Sequence, residues 1–289
     1  MGAKNDMEPK FKGKVRDIYD ISEDRMIIVT TDRISAFDVI LPTLVTGKGV
    51  TLNGISNFWF KKTERLVKNH IISSNLEDMP EYFHQEKFRD RTVMVQKLKI
   101  LPFEFVVRGY IFGNMWKYYE EGKPFCGHRI SGEYQMAQKL EAPILTPSTK
   151  VETGHDEYVD IDSVKTAIGA ELTDKIAEIS LGLYAMCSQY AMTKGILIAD
   201  SKFEFGLDKN NQLVLADELF TPDSSRFWDA ADYRVGVSPK SYDKQFIRDW
   251  LLNNKKNGEF QFDGVPGDVI ERTAQIYREC LQKLVGGEA

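Results

Sequence analysis

The chain has 289 residues, of which 42% are hydrophobic and 28% are charged, and its formal net charge is −5. This length suits one large domain or two modest ones, and the acidic balance argues against nucleic-acid binding by the whole surface. The three cysteines lack CxxC spacing, which favours reduced thiols over a disulfide framework or a zinc site. No segment approaches the roughly 20 apolar residues of a membrane span, and the N-terminus has no signal-peptide pattern, so we expect a cytoplasmic protein.

Strands dominate the first third of the chain. Short β-like runs occur at 15–21 and 26–31, separated by a polar turn, and again at 91–98 and 105–111. Leu101-Pro102 is expected to break the last two strands. A single helix is predicted between the first pair of strands and the second pair, over 55–67.

The remainder of the chain mixes helices with strands. A helical stripe runs from Leu172 to Tyr190, with Thr173 as its candidate cap. A second helix is predicted from a Ser241 cap through Leu252, and Pro266 is expected to open the last helix. The residues expected to face inward in the second helix are Phe246, Ile247, Trp250 and Leu251. Because helices and strands do not alternate regularly, the pattern favours an α+β fold over a doubly wound sheet. We expect a β-rich part at 1–101, an α/β part at 102–289 and a cleft between them.

The most informative segment is 196–228, which predicts a β-hairpin with its turn at 208–211. It carries acids where a buried strand normally carries aliphatic residues: Asp200, Glu204, Asp217 and Glu218. Asp200, Lys202 and Glu204 alternate by two and therefore project from one face. Carboxylates within a sheet are costly unless a cation neutralises them, and oxygen ligands suit Mg²⁺. The hairpin thus predicts a metal-assisted site for a phosphorylated substrate.

Two other segments are candidates for anion binding. In Lys12-Gly13-Lys14-Val15-Arg16 the glycine lets backbone N–H groups approach a phosphate, although an exposed basic turn is equally simple, and neither a Walker A nor a GxGxxG pattern is present. Arg108 lies within an apolar strand and needs a partner, which is either an internal carboxylate or a substrate phosphate. Gly113-Asn114 follows as a helix start, with Asn114 as its expected cap.

Three polar loops complete the candidate site. The strand-end cluster at 31–38 contains Asp32, Ser35 and Asp38, which either belong to a functional site or cap a turn. The loop from Pro147 contains Lys150 and then His155, which is either a general acid–base group or a solvated surface histidine. The segment at 221–226 contains Asp223, Ser224 and Arg226, and it is either a phosphate site or an ordinary type I turn.

Taken together, six ordered blocks resemble the SAICAR synthetase family. They are K-G-K-V-R-D-I-Y, T-D-R-I-S-A-F-D, V-V-R-G-Y-I-x-G-x-M-W-K, P-S-T-K-x-E-x-G-H-D-E, I-A-D-S-K-F-E-F-G and D-E-L-x-T-P-D-S-S-R-F-W. The resemblance runs from about Phe11 through the C-terminal helices. It implies an α+β fold in which a small antiparallel β part, like a kinase N-lobe, packs on a larger α/β part, with ATP between them.

The resemblance also implies the activity and its partners. The family joins L-aspartate to the carboxylate of carboxyaminoimidazole ribotide (CAIR) and produces SAICAR, ADP and phosphate in de novo purine biosynthesis. ATP and Mg²⁺ are the expected cofactors, and the expected partners are these small molecules, without nucleic acid, membrane or an obligate protein. An acyl phosphate is the expected intermediate. The alternatives are a small-molecule kinase and, outside catalysis, a nucleotide-binding regulator.

The family's functional residues map onto this chain by motif. The resemblance implies that Lys12, Gly13, Lys14, Val15 and Arg16 cover the ATP phosphates, and that Gln96, Lys97 and Leu98 form the adenine hinge. It implies that Glu204 and Asp217 hold the metal, with Asp200 and Lys202 as catalytic neighbours. The residues it implies on the substrate side are Asp32, Ser35, Asp38, Arg108, Gly113, Asn114, Asp223, Ser224 and Arg226. Asn114 departs from the family, which usually has Ser there.

Overall fold

The structure, a computed structural model, describes residues 7–37, 39–150 and 157–286. Its strands are β1 (Phe11–Lys12), β2 (Arg16–Asp20), β3 (Arg25–Thr30), β4 (Ser35–Ala36), β5 (Val39–Ile40), β6 (Ile71–Ser73), β7 (Thr92–Gln96), β8 (Lys99–Tyr110), β9 (Lys139–Thr149), β10 (Ile196–Leu207), β11 (Leu213–Ala216) and β12 (Ser225–Asp229). Its α-helices are α1 (Lys48–Thr63), α2 (Asn114–Glu120), α3 (Ile161–Ile168), α4 (Ala170–Thr193), α5 (Gln245–Asn253) and α6 (Gly267–Val285). No helix in these described ranges is long and apolar enough to cross a membrane.

Two antiparallel sheets organise the molecule. The first has the strand order β1-β2-β3-β7-β6, and the second has the order β11-β10-β8-β9, with β12 paired to the other part of β10. Helices α1, α4 and α6 pack with the second sheet around the largest apolar core, which includes Trp59, Phe205 and Leu284. Antiparallel sheets with helices gathered against them make this an α+β fold, as the sequence predicts.

The predicted hairpin is confirmed. Glu204 pairs with Ala216 and Leu207 with Leu213, and the Asp208 carboxylate closes the turn by accepting N–H hydrogen bonds from Asn210 and Gln212 at 2.8 and 2.9 Å. The second sheet begins at Lys99, near the predicted domain division, while α1 from the N-terminal part lies in the core of the C-terminal part. The division into two domains therefore stays a prediction.

The predicted break at Leu101-Pro102 is wrong, because β8 runs through it without interruption. The register of β10 against β8 shifts here, between the pairs Glu204–Glu104 and Gly206–Ile100. Proline cannot donate to a strand ladder, so it is tolerated where such an irregularity interrupts the ladder. The Pro102 carbonyl still accepts a hydrogen bond from the Lys150 N–H at 3.0 Å.

Helix α1 begins and ends earlier than the predicted range of 55–67. Its first turns bury polar residues, including Asn53 and Ser56, and these hide the apolar period that marks a helix in sequence. The Asn53 amide donates to the Asp90 carbonyl at 2.9 Å, and the Ser56 hydroxyl accepts from the Leu219 N–H at 3.2 Å. These buried hydrogen bonds replace the apolar contacts on which sequence prediction depends.

The predicted caps of α4 and α5 are wrong, and one α-helix was missed. Thr173 lies inside α4, which starts at Ala170, and the Thr173 hydroxyl donates to the Gly169 carbonyl at 2.7 Å. Ser241 precedes α5 by several residues, and its hydroxyl donates to the Phe227 carbonyl at 3.1 Å. A threonine or serine near a helix start thus serves another backbone group in each case. Helix α3 was not predicted.

The two predictions about inward-facing residues in the C-terminal helices had different outcomes. Of the four α5 residues expected inside, Ile247 and Leu251 are buried and Trp250 is partly buried, but Phe246 is 37% exposed. In contrast, α6 starts directly after Pro266, and its predicted apolar face is buried from Val269 to Leu284.

The start of α1 depends on glycine at position 49. A Cβ atom built there would lie 2.3 Å from the Thr30 carbonyl oxygen, which is a backbone atom of β3. In the same helix, a Cβ atom on Gly54 would make an ordinary contact of 3.5 Å with a Leu281 methyl group. We expect Gly49→Ala to lower the free energy of unfolding by about 2 kcal/mol or more.

The matched substitution Gly54→Ala should leave that free energy unchanged or raise it by at most about 1 kcal/mol, since alanine is the better helix former. Urea unfolding of both variants measures the difference. Equal stability of the two variants would contradict the proposed close approach of α1 to β3.

Candidate active site

A lysine between two glutamates forms the centre of the acidic site. The register of the second sheet places Glu204 of β10 directly opposite Glu104 of β8, and like charges in this arrangement destabilise a sheet. Lys202 Nζ donates to Glu104 Oε1 at 2.7 Å and to Glu204 Oε1 at 2.8 Å. Because the Lys202 ammonium group donates to both carboxylates, it offsets the repulsion between them. Lys150 contacts the other oxygen of Glu204.

Asp217 joins this cluster from the end of β11. Its backbone lies at φ 65°, a left-handed conformation that is uncommon outside glycine and is often found at functional sites. Asp217 Oδ2 lies 3.7 Å from Lys202 Nζ, and Oδ1 accepts a hydrogen bond from Arg16 of the first sheet. Arg16 also lies 2.9 Å from Glu218 Oε1. The cluster therefore links the two sheets.

The charges in this cluster are coupled. Burial raises the pKa of the Asp217 carboxyl, but Arg16, Lys202 and Lys150 outweigh burial and bring that pKa well below its usual value. Burial likewise lowers the pKa of Lys202, but Glu204, Asp217 and Glu104 outweigh it and raise that pKa well above its usual value. Asp217 is therefore ionised and Lys202 protonated at neutral pH.

Glu204 and Asp217 are suited to a magnesium ion that takes its remaining ligands from water and a substrate. Both carboxylates lie within 4 Å of the same lysine nitrogen, and both are hard oxygen donors. Within the described ranges, no group of three or more His, Cys, Asp or Glu side chains could hold a metal ion alone. Two carboxylates are sufficient for Mg²⁺ where water and phosphate oxygens supply the other ligands.

Asp200 of β10 lies between arginines of the two neighbouring strands, Arg108 of β8 and Arg226 of β12. It accepts a hydrogen bond from Arg108 Nη1 at 2.9 Å and another from Arg226, while Arg108 Nε donates to the Thr146 hydroxyl at 2.9 Å. An internal carboxylate is therefore a partner of Arg108, which the sequence left open. The Arg226 side chain is 28% exposed and that of Arg108 only 7%, so Arg226 is the more accessible of the two.

Gly113 lies against Arg226. A Cβ atom at this position, where φ is 61°, would lie 2.8 Å from Arg226 Nη2. Asn114 is the first residue of α2 and makes no cap, which corrects the expectation from sequence, and its amide donates to the Tyr158 hydroxyl at 2.7 Å. The structure thus brings Gly113 and Arg226 together and places Asn114 next to them in the chain.

Asp223 belongs to the 221–226 loop that leads to Arg226, and its carboxylate is buried. Its side chain is 3% exposed and accepts hydrogen bonds from Lys48 at 2.8 Å and from the Tyr277 hydroxyl at 2.7 Å, with Lys244 at 3.2 Å. Burial raises the pKa of Asp223, but Lys244 and Lys48 outweigh it and lower that pKa well below its usual value. Ser224 packs against Thr221 in the same loop, through a contact of 3.3 Å between their hydroxyl oxygens.

The candidate site residues Asp32 and Ser35 of the 31–38 segment make different contacts. The Asp32 carboxylate accepts a hydrogen bond from the Gly49 N–H at 2.8 Å and lies 3.3 Å from Arg91, so it fixes the first turn of α1. Ser35 pairs with Ile40 in the small β4–β5 sheet. Asp38 lies outside the described residues, and so does His155.

The Lys12-Gly13-Lys14-Val15-Arg16 segment is a tight turn leading into β2. The Gly13 N–H donates to the Arg16 carbonyl at 2.8 Å, and the Val15 carbonyl accepts from the Thr31 N–H at 2.9 Å. Lys12 lies 3.6 Å from Glu8. A narrow cleft passes between this sheet, α1 and the end of β11, and its lining includes Arg16, Thr30, Asn53 and Glu218.

Gln96, Lys97 and Leu98 connect the two sheets. Gln96 ends β7, and its side-chain nitrogen is buried without a hydrogen-bond partner among the described residues. The Lys97 N–H donates to the Asp24 carbonyl at 2.9 Å. An unsatisfied buried donor is costly, which makes Gln96 a candidate for contact with a bound molecule.

Comparison with known proteins decides the family. The SAICAR synthetase family model matches residues 10–264. The phosphoribosylaminoimidazole-succinocarboxamide synthase of Thioalkalivibrio sulfidiphilus is 47% identical over 277 residues, which are 95% of this chain and 94% of that protein. The chain belongs to the SAICAR synthetase family.

Solved structures of the family have the same architecture. The SAICAR-synthase from Saccharomyces cerevisiae, complexed with SAICAR, superposes with a TM-score of 0.87 at 40% identity and covers 97% of this chain and 95% of its own. A SAICAR synthetase in complex with ADP superposes with a TM-score of 0.71 at 26% identity and covers 96% of this chain and 97% of its own. The α+β fold expected from the family resemblance is therefore confirmed.

Sequence reasoning missed several charged residues of the site, among them Glu104 and Lys48. Glu104 could have been found, since Phe103-Glu104-Phe105 repeats the F-E-F pattern of Phe203-Glu204-Phe205 and the two triplets face each other. Lys48 gave no comparable signal, because a lysine at the start of a helix normally lies in solvent.

Proposed function

We propose that this chain is an ATP-dependent ligase that joins L-aspartate to the carboxylate of CAIR and releases SAICAR, ADP and phosphate in purine biosynthesis. The observation that carries the proposal is membership of the SAICAR synthetase family, with relatives of that name matched over nearly the whole chain. The yeast relative was solved with SAICAR and another family member with ADP. The cluster around Lys202 has the charges that such a reaction requires.

ATP would bind between the first sheet and the hairpin. In this proposal the turn formed by Lys12, Gly13, Lys14, Val15 and Arg16 covers the phosphates. Gln96, Lys97 and Leu98 offer backbone groups to adenine, and the unpaired Gln96 amide supports a polar contact there. Glu204 and Asp217 hold Mg²⁺, which when bound neutralises part of the phosphate charge, while Lys202 and Asp200 act beside them as catalytic residues.

The ribotide would bind beside Asp200. Asp200 holds Arg226 in a fixed orientation, and a guanidinium has five N–H donors, so Arg226 keeps donors for a phosphate. Gly113 leaves room for that guanidinium, and the Asn114 amide can donate where the family usually has a serine hydroxyl. Arg108 supports this arrangement from the buried side. The residues that we assign to the substrate side are Asp32, Ser35, Asp38, Arg108, Gly113, Asn114, Asp223, Ser224 and Arg226.

Asp32 and Asp223 have a different position from the others in this set. Each carboxylate is used within the protein, on the first turn of α1 or on Lys48 and Tyr277. Their contribution to the substrate side is therefore to hold the backbone of the two loops in place.

The reaction itself needs little covalent chemistry from the protein. A carboxylate does not accept an amine near neutral pH, because oxide would have to leave. Transfer of the γ-phosphoryl group from ATP to the CAIR carboxylate releases ADP and forms an acyl phosphate, and attack by the aspartate amine then expels phosphate. Lys202 and Arg16 neutralise charge near the transferred group, and positioning of the reactants can contribute roughly 7–11 kcal/mol.

Omission of single substrates separates this ligase from a kinase. We expect ADP release to continue over many turnovers only when CAIR, L-aspartate, ATP and Mg²⁺ are all present, because phosphate leaves the intermediate only when the amine attacks. A coupled ADP assay with each component omitted in turn measures this. Sustained ADP release without L-aspartate would favour a kinase, and no turnover in the complete mixture would favour a regulator.

Isotope transfer tests the acyl phosphate. With ¹⁸O in the CAIR carboxylate, one labelled oxygen should appear in the released phosphate for each SAICAR formed, since that oxygen bridges carbon and phosphorus in the intermediate. Mass spectrometry of the phosphate measures the label. Unlabelled phosphate alongside normal SAICAR formation would exclude activation of the carboxylate by phosphorylation.

Substitution of Arg226 tests the ribotide site. Arg226→Ala should raise the KM for CAIR about tenfold or more and change the KM for ATP less than about twofold, because one charge-assisted contact to the ribotide phosphate is lost. Asp200 keeps Arg108 as its partner, so the fold is retained. Steady-state kinetics measures both constants, with Arg25→Ala as the control at an exposed arginine of the first sheet. An equal rise of both constants would argue against this role.

A further inference from the structure

Side-chain cations occupy every oxygen of the two carboxylates that are proposed to hold magnesium. Lys202 and Lys150 lie on the two oxygens of Glu204, while Arg16 and Lys202 lie on the two oxygens of Asp217. A divalent ion that binds here therefore competes with cations that are already in contact with its ligands.

Arg16 differs from the two lysines in where it comes from. Lys202 lies on the same strand as Glu204, and Lys150 follows β9 of the same sheet, whereas Arg16 begins β2 of the other sheet. Its guanidinium spans the cleft and reaches both Asp217 and Glu218. It is also the last residue of the turn of residues 12–16 that is proposed to cover the ATP phosphates.

The electrostatics favour Arg16 on the acids. Its side chain is 16% exposed and makes ion pairs with Asp217 and Glu218, and opposite charges attract more strongly in such partly buried surroundings than in water. A carboxylate neutralised by an arginine attracts a second cation less strongly than a bare one does. A phosphate, in contrast, offers the guanidinium an equivalent bidentate partner.

We propose that Arg16 is a built-in counter-ion for Asp217 that must be displaced before a divalent cation binds there, and that the nucleotide triphosphate displaces it by taking over its guanidinium. The ion and the nucleotide therefore bind together, and the ion alone binds weakly. Arg16 is in this respect a specificity-determining residue that prevents the acidic pair from taking up free cations. The inference rests on the proposed function in placing the ion at Asp217 and the nucleotide phosphates beside Arg16.

Binding of Mn²⁺, a spin-active substitute for Mg²⁺, tests the exchange without any turnover. Titrations of the full chain in the absence of nucleotide, followed by electron paramagnetic resonance, should show about tenfold tighter Mn²⁺ binding for Arg16→Gln than for wild type. Arg25→Gln, at an exposed arginine of the same sheet, should behave as wild type. The gain should disappear in Arg16→Gln combined with Asp217→Asn, since it originates at that carboxylate.

A nucleotide titration separates failure of this inference from failure of the metal site. Asp217→Asn alone should weaken binding of the Mn²⁺ complex of a non-hydrolysable ATP analogue. Unchanged binding would remove the ion from Asp217 and with it the proposed metal site. Weakened binding in that variant, together with unchanged Mn²⁺ affinity in Arg16→Gln, would overturn the exchange alone.

A measurement on the wild type keeps the test independent of how well Arg16→Gln folds. The ¹⁵N-labelled Nε–H signal of Arg16, assigned by its loss in Arg16→Lys, should shift when the Mg²⁺ complex of the ATP analogue is added. The same free concentration of Mg²⁺ alone should leave it in place. A signal that does not move with the nucleotide complex, or that moves equally with Mg²⁺ alone, would contradict the displacement.

Discussion

The contact of Lys202 with two opposing glutamates is the interaction on which the site depends. The register of β8 and β10 forces Glu104 and Glu204 into a position where two negative charges repel. Lys202 donates to both, so the sheet keeps this register and also acquires a concentration of charge beside the cleft. Buried networks of this kind are stable only when each member has its partners. Asp217 and Arg16 extend the same network to the other sheet.

Sequence reasoning was most successful where chemistry and period coincide. The hairpin of 196–228 was predictable because its strands alternate around acids that few sheets tolerate, and α6 was predictable from Pro266 and a regular apolar face. The family resemblance supplied the α+β architecture, which the solved relatives confirm. Local pattern and global fold agree in these regions.

Most of the failures have a common physical origin. Helix α1 buries Asn53 and Ser56 on hydrogen bonds to distant backbone, Pro102 sits beside a shift of register, and Thr173 and Ser241 serve other carbonyl groups. The partners of Asn53, Ser56 and Ser241 are far away in sequence, whereas Thr173 contacts the carbonyl four residues before it, as a residue inside a helix does. The partner of Arg108 was undecidable for the same reason, since only the strand pairing brings Asp200 to it. Tertiary contacts override local signals at such positions.

The first turn of α1 has a mechanical consequence for the whole molecule. Asp32, which follows β3, accepts a hydrogen bond from the Gly49 N–H of this turn, and Asp223 of the 221–226 loop accepts one from Lys48. The first turn of α1 therefore contacts residues on both sides of the cleft. A hinge motion that opened the cleft would stretch or break at least one of these two contacts, so together they favour a cleft of constant width.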